Sequence, residues 1–149
     1  MDESNLYALP PSLAALLDAE EWADLAFVPV PVKPRHDGWT RERQRGFIAR
    51  LALTGNVSVA AKSVGKSRKS AYDLVARPGA ESFAASWARA QSWGHERMRD
   101  LAIDRALNGE ASPVFFRGRR CGERLRYDNG LLLAALKLLG APPVRSTER

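Results

Sequence analysis

The hydrophobic and polar positions of this chain change period several times, and each change marks an element. Leu13, Leu16, Leu17, Trp22 and Leu25 recur at roughly helical spacing behind Ser12. That pattern predicts a short amphipathic helix with Ser12 as its N-cap. Residues 27–38 then interleave valine with Pro29, Pro31 and Pro34. Proline fixes its own φ and restricts the residue before it, so this stretch is expected to be an extended strap that crosses the surface as a linker. Helical spacing resumes at Arg41. Thr40 is a suitable N-cap for a helix to Thr54, with Phe47, Ile48 and Leu51 inward and Gly55 ending it. Ser58 is expected to cap a second short helix through Val64, broken by Gly65. Ser67 caps a third to about Ala76, stopped by Arg77-Pro78-Gly79.

One long helix is predicted from Ala80 to Leu107. Phe83, Trp87, Ala90, Gly94, Met98, Leu101 and Ala102 form its apolar stripe, and Trp93 and Ile103 lie off it. Two apolar faces on one helix fit self-association or packing of the N-terminal zone equally well. Beyond Asn108-Gly109, the runs 113–117 and 123–127 flank a glycine-bounded turn, Gly118 to Gly122, and read as a β-hairpin. Strand alternation sets Arg124 and Arg126 opposite Leu125 and Tyr127, which are expected to pack on a last helix, 130–139. Asp128 or Asn129 caps that helix, Leu131, Leu132, Leu133, Leu136 and Leu139 line it, and Gly140 ends it. The fold class expected is mainly α: a three-helix helix-turn-helix domain, a long connecting helix, and a small C-terminal β-hairpin plus helix. The divisions are a proline-rich acidic arm (1–38), the helix-turn-helix (39–79), the long helix (80–109), and the basic hairpin, short helix and tail (110–149).

Composition narrows the class. Of 149 residues, 27% are charged and 45% hydrophobic, which excludes wholesale disorder. The longest apolar run, Leu131 to Leu136, is far too short to cross a bilayer. The start Met1-Asp2-Glu3 has neither a basic region nor an apolar signal core. The single cysteine, Cys121, permits no internal disulfide and no cysteine metal site, so a reducing, cytoplasmic compartment is expected. Charge is uneven. Residues 1–40 hold two basic and seven acidic residues, a net −5, whereas residues 41–149 hold 21 and 10, a net +11. A basic body of that size points to a polyanionic partner.

The helix pair gives that partner an address. A helix-turn-helix needs a small residue in its first helix and a glycine four positions later, where the chain takes positive φ. Ala61 and Gly65 fill those slots, with Ala60, Val64, Ala71, Leu74 and Val75 as the inner faces. Residues at the start of the second helix reach base edges in the major groove of double-stranded DNA. Those residues are Ser67, Arg68, Lys69 and Ser70, with Tyr72 and Asp73 one turn on. Arginine bridges guanine O6 and N7, and lysine or serine takes a phosphate or a base. Lys62 and Lys66 beside the turn, and Arg41, Arg43 and Arg45 at the first helix, suit backbone contacts. Arg119 and Arg120, with Arg117, Arg124 and Arg126, form a cationic ridge on the hairpin; it suits phosphates or simply a solvated strand edge.

Catalytic motifs fail by comparison. Gly65-Lys66-Ser67 resembles the end of a phosphate-binding loop, but Ala60 stands where that loop needs glycine. His36 and His95 have no ligand-spaced neighbour, so neither a metal nor another cofactor is expected. No nucleophile with its base emerges, and the expectation is a non-enzyme.

The order Thr54-Gly-Asn-Val-Ser-Val-Ala-Ala-Lys-Ser-Val-Gly, a Ser-Arg helix start, a long helix, Val114-Phe-Phe-Arg-Gly and Arg126-Tyr-Asp-Asn-Gly-Leu-Leu-Leu resembles the phage terminase small-subunit type, including versions resident in alphaproteobacterial chromosomes. The likeness covers about residues 39–139. It implies recognition of DNA for packaging, homo-oligomerisation, and transfer of DNA to a separate ATP-driven terminase large subunit. Residues 1–38 lie outside the pattern. A helix-turn-helix transcriptional regulator and a protein-interaction adaptor on the same fold are the alternatives.

Overall fold

The structure is a computed structural model that describes residues 17–138. Of the first predicted helix, Ser12, Leu13 and Leu16 lie outside the described residues, as do Leu139 and Gly140 at the end of the last. The described chain is mainly helical, with one two-stranded antiparallel sheet. It divides into two units, residues 1–97 and 98–149. Among the described residues no helix is long and apolar enough to cross a membrane.

In the first unit, helix α1 (Ala19–Asp24) starts later than the apolar spacing implied, because Asp18 makes a capping box with Glu21. Each backbone N–H at that end is met by the other residue's carboxylate, so the helix begins there. Helix α2 (Arg41–Thr54) runs from Thr40, whose hydroxyl accepts from the Arg43 N–H, to Gly55 at φ +65°. Helix α3 (Val57–Ser63) is capped by Asn56, whose side chain accepts from the Val59 N–H, and not by Ser58. Gly55 ends α2 so abruptly that the next residue already serves as a cap, and Val57 becomes the first helical position, buried against the core. Gly65 follows at φ +71°. Helix α4 (Arg68–Val75) is capped by Ser67, and α5 (Glu81–Asn108) runs on from the first unit into the second. Helix α3 packs on both α2 and α4.

The core is aromatic. Phe47 contacts Trp39, Phe83 and Trp87 at ring centroid distances of 5.6, 6.0 and 4.8 Å, and Phe27 meets Phe83 edge-on at 5.3 Å. Phe27 and Val30 are buried, so the proline-rich segment is not a linker crossing the surface. Proline kept it extended, but its intervening side chains supply core. Gln44 explains how a buried extended strand without a sheet partner satisfies its backbone. Its fully buried amide accepts from the Val30 N–H at 2.8 Å and donates to the Val30 and Trp39 carbonyls at 3.1 and 3.0 Å. Every polar atom of the amide is used.

The N-terminal zone also covers α5. The Ser86 hydroxyl donates to the Leu25 carbonyl at 2.6 Å, the Val28 N–H donates to Ser82 Oγ at 2.9 Å, Arg89 donates to the Asp24 carbonyl, and Arg97 pairs with Glu21. Trp93, off the stripe, packs half-buried on the same core. Packing of the N-terminal zone therefore covers the second apolar face over residues 82–97. Gly94 lies against the end of α2, and a Cβ there would collide with the Gly55 nitrogen and the Leu51 carbonyl oxygen. Met98 and Leu101, read as part of the stripe, are exposed.

In the second unit, strand β1 (Glu110–Phe116) pairs with β2 (Arg119–Arg126). The reversal is tighter than the Gly118–Gly122 turn expected from sequence. It is the two-residue loop Arg117-Gly118, with φ +49° and +76°, while Gly122 sits inside β2. Two consecutive positive φ values are those of the type I′ turn that matches strand twist. Leu125 and Tyr127 are 59% and 60% exposed and do not pack as expected. Helix α6 (Asn129–Leu138) follows, with the Asp128 carboxylate accepting from the Leu131 N–H.

Two substitutions test this account by urea unfolding. Gln44→Leu strands three buried backbone groups and should lower stability by about 3 kcal/mol or more, at about 1–3 kcal/mol for each unsatisfied group. Gly94→Ala, which adds one carbon against rigid backbone, should cost at least about 1–3 kcal/mol. A wild-type midpoint for either variant would contradict the packing described.

Candidate nucleic-acid interface

The turn Val64-Gly65-Lys66 presents α4 with its first residues outward. Ala61, fully buried, lets the chain reverse closely; its carbonyl accepts from both the Val64 and Lys66 N–H groups, at 3.2 and 2.9 Å. Ala71 and Leu74 bury the inner face of α4, which turns Arg68, Lys69, Tyr72 and Asp73 to solvent. Ser67 spends its hydroxyl on the cap, accepting from the Ser70 N–H at 3.1 Å. A groove of about 460 Å³ lies along the turn, lined by Ser58, Lys62, Gly65, Lys66, Ser67 and Arg68.

The exposed side chains differ in freedom. The Arg68 guanidinium lies 5.7 Å from the Tyr72 ring centroid, and Tyr72 in turn leans on Trp87 at 5.3 Å. That stack holds the Arg68 guanidinium against the ring on an exposed face of α4. Lys69 donates to Asp73 at 2.8 Å, one turn on. The hydrogen bond and the charge of Asp73 hold the Lys69 ammonium above its ordinary value, against a smaller opposing effect of burial. A raised lysine pKa means the pair is intact at neutral pH and is lost as pH climbs through the folded-state value. Lys62 is exposed.

Ser70, Lys66 and Arg43, also singled out from sequence, make contacts within the fold. Ser70 is half-buried, and its hydroxyl accepts from the Trp39 indole N–H at 2.7 Å. Lys66 donates to the Asp37 carbonyl and sits 6.0 Å above the Trp39 ring. Arg43 donates to the His36 and Gly38 carbonyls at 3.2 and 2.6 Å, which pins the strap at the entry to α2. Arg45 is half-buried and Arg41 is exposed on the first turn of α2. Arg119 and Arg120 belong to the second unit, where Arg120 pairs with Glu123.

Sequence reasoning gives Trp39 no role, yet it links the strap to α4. A signal exists: Trp39 precedes the N-cap of α2 and Gln44 is the fourth helical residue, the two positions that often close an N-terminus with an apolar contact. Here the pairing is a hydrogen bond. His95, weighed from sequence only as a metal ligand, has its Nε2 3.0 Å from the Gly55 carbonyl oxygen, across the junction with α2.

Searches against protein-family models, curated proteins and solved structures found no match to this chain.

The two serines should separate by stability. Ser70→Ala leaves the Trp39 indole N–H without its acceptor and should cost about 1–3 kcal/mol. Ser67→Ala should cost about 1 kcal/mol through removal of the cap. Urea midpoints compared with wild type measure both, and a neutral Ser70→Ala would return Ser70 to the solvent-facing set.

Proposed function

We propose that the chain binds double-stranded DNA through a helix-turn-helix made of α3 and α4, as a non-enzymatic protein of the terminase small-subunit type. The observation that supports this best is the arrangement at the turn. Ala61 is buried, Gly65 stands four residues later at φ +71°, and α4 buries Ala71 and Leu74 while holding Arg68 and Lys69 outward on its first turn. An α-helix fits the major groove, and an arginine on its first turn is the commonest reader of guanine. Arg68, stacked over Tyr72, is the reader in this reading, with Lys69 beside it. Lys62 and Arg41, both exposed, serve phosphates, contacts that position the protein without reading sequence. Lys66 and Arg43 act through the strap they hold.

The role in packaging rests on the order of motifs, which resembles that of small subunits that pass DNA to an ATP-driven large subunit. Assembly into a homo-oligomer rests on the same resemblance. A regulator of transcription would use the same α4 chemistry, and the context of a neighbouring large-subunit gene separates the two roles.

Fluorescence anisotropy on duplexes selected from a random pool provides the test. Arg68→Ala should cost about 1–3 kcal/mol on the preferred site and flatten sequence preference. Lys62→Ala should weaken all duplexes alike and reduce the salt slope by about one. Asp73→Asn removes a negative charge beside the DNA and releases Lys69, and should raise affinity about twofold to fivefold at low salt, less at high salt. Equal binding by wild type and the Arg68/Lys69 double alanine variant would refute the recognition helix. Absence of any salt-dependent duplex binding would leave the adaptor reading.

A further inference from the structure

The hairpin of the second unit carries charge and aromatic surface that stays exposed among the described residues. Cross-strand partners share a face of a two-stranded ribbon. Along one face the pairs are Glu110 with Arg126, Ser112 with Arg124, and Val114 with Gly122. Strict alternation would then place Arg120 on this face and Arg119 on the other. A bulge intervenes: Val114 pairs with Gly122 but Phe115 pairs with Arg120, which leaves Cys121 as an extra residue. One extra residue reverses the side to which every later side chain points. Arg119, opposite Phe116, therefore joins Arg124 and Arg126. Arg120 moves to the other face, with Ala111, Pro113, Phe115, Glu123 and Leu125, and is neutralised there by Glu123.

The result is a division of labour between faces. One holds Arg119, Arg124 and Arg126, none of them ion-paired among the described residues, with Glu110 its lone acid. Phe116 lies on the same face, 65% exposed, with the Arg117 guanidinium 5.4 Å from its ring centroid. A row of cations alone suits any phosphate backbone. An exposed ring held among the cations adds a flat surface on which an unpaired base stacks, and that combination is how non-specific single-strand binders work. Duplex DNA hides its base faces and would leave Phe116 unused.

We propose that this face of the hairpin is a second nucleic-acid site, which takes single-stranded nucleic acid with phosphates on Arg119, Arg124 and Arg126 and a base stacked on Phe116. It stands independently of α4, since it rests on different residues in a different unit.

The test uses the full chain and a fluorescein-labelled oligothymidine strand, with a duplex of equal length as comparison, read by anisotropy across a salt series. The triple substitution Arg119→Ser, Arg124→Ser and Arg126→Ser should weaken single-strand binding at least about tenfold and reduce the salt slope by about two, at roughly 0.7 for each phosphate no longer neutralised. Phe116→Ala should weaken single-strand binding about fivefold or more, as expected when one base no longer stacks, with the salt slope unchanged. Arg68→Ala with Lys69→Ala should leave single-strand affinity within about twofold while duplex recognition falls, which separates this site from α4. All four substituted hairpin positions are exposed, so circular dichroism should stay as wild type. The proposal is overturned if wild type does not bind the single strand, or if the triple variant binds it unchanged. It is equally overturned if Phe116→Ala is neutral while duplex and single strand bind alike. A shift of the variants from oligomer to monomer in light scattering, with binding per protomer retained, would instead assign the face to contact between copies.

Discussion

Gln44 carries the constraint on which the first unit depends. The proline-rich strap pairs with no strand among the described residues, so its burial would strand backbone groups in an apolar core. One amide on α2 answers for the N–H and C=O of Val30 and the C=O of Trp39. With those bonds in place Phe27, Val30 and Trp39 can be buried, and the Trp39 indole reaches Ser70 on α4. The position of the candidate recognition helix is thus tied, through one indole and one amide, to a segment some thirty residues earlier in the chain.

Close approach is the second requirement. Gly55 turns the chain at the end of α2, and Gly94 lets α5 lie against that turn with no side chain between them. The His95 contact to the Gly55 carbonyl lies at the same junction. The aromatic cluster around Phe47 fills the space on one side, so α2 and α5 are fixed by packed rings on that side and by bare backbone at the crossing. Arg68 inherits this rigidity by way of Tyr72, which rests on Trp87 of α5.

Much of this is legible where a local rule decides the outcome. Thr40 and Ser67 cap as their positions imply, Gly55 and Gly65 take positive φ, and the long helix ends within a residue or so of its expected limits. The departures come where two local rules compete or a distant partner decides. Ser58 and Asn56 are both good caps, and the sharp exit from Gly55 selects the earlier one. Glycine at 118 and 122 draws the expected hairpin turn outward, whereas the ribbon reverses on Arg117, a residue type that seldom takes positive φ. The burial of the strap cannot be read from Pro29, Pro31 and Pro34, because its partner is a polar residue on another helix. Ser70 looks solvent-facing in the sequence for the same reason. The bulge at Cys121, which sorts the arginines of β2 between two faces, is marked in the sequence only by the adjacent Gly122, which reads equally well as the end of a turn.

The placement of the tryptophans has an optical consequence. Trp22, Trp39, Trp87 and Trp93 all lie in the first unit, three of them buried, and the second unit has none. Intrinsic indole emission is therefore a private signal of the first unit. Two of the four emitters touch α4, Trp39 through Ser70 and Trp87 through the Tyr72 ring. The molecule thus carries native, label-free chromophores at the candidate recognition helix. The lone thiol, Cys121 at the bulge of β2, offers a dye an attachment point in the other unit, so the two halves can be watched in separate colours in one sample.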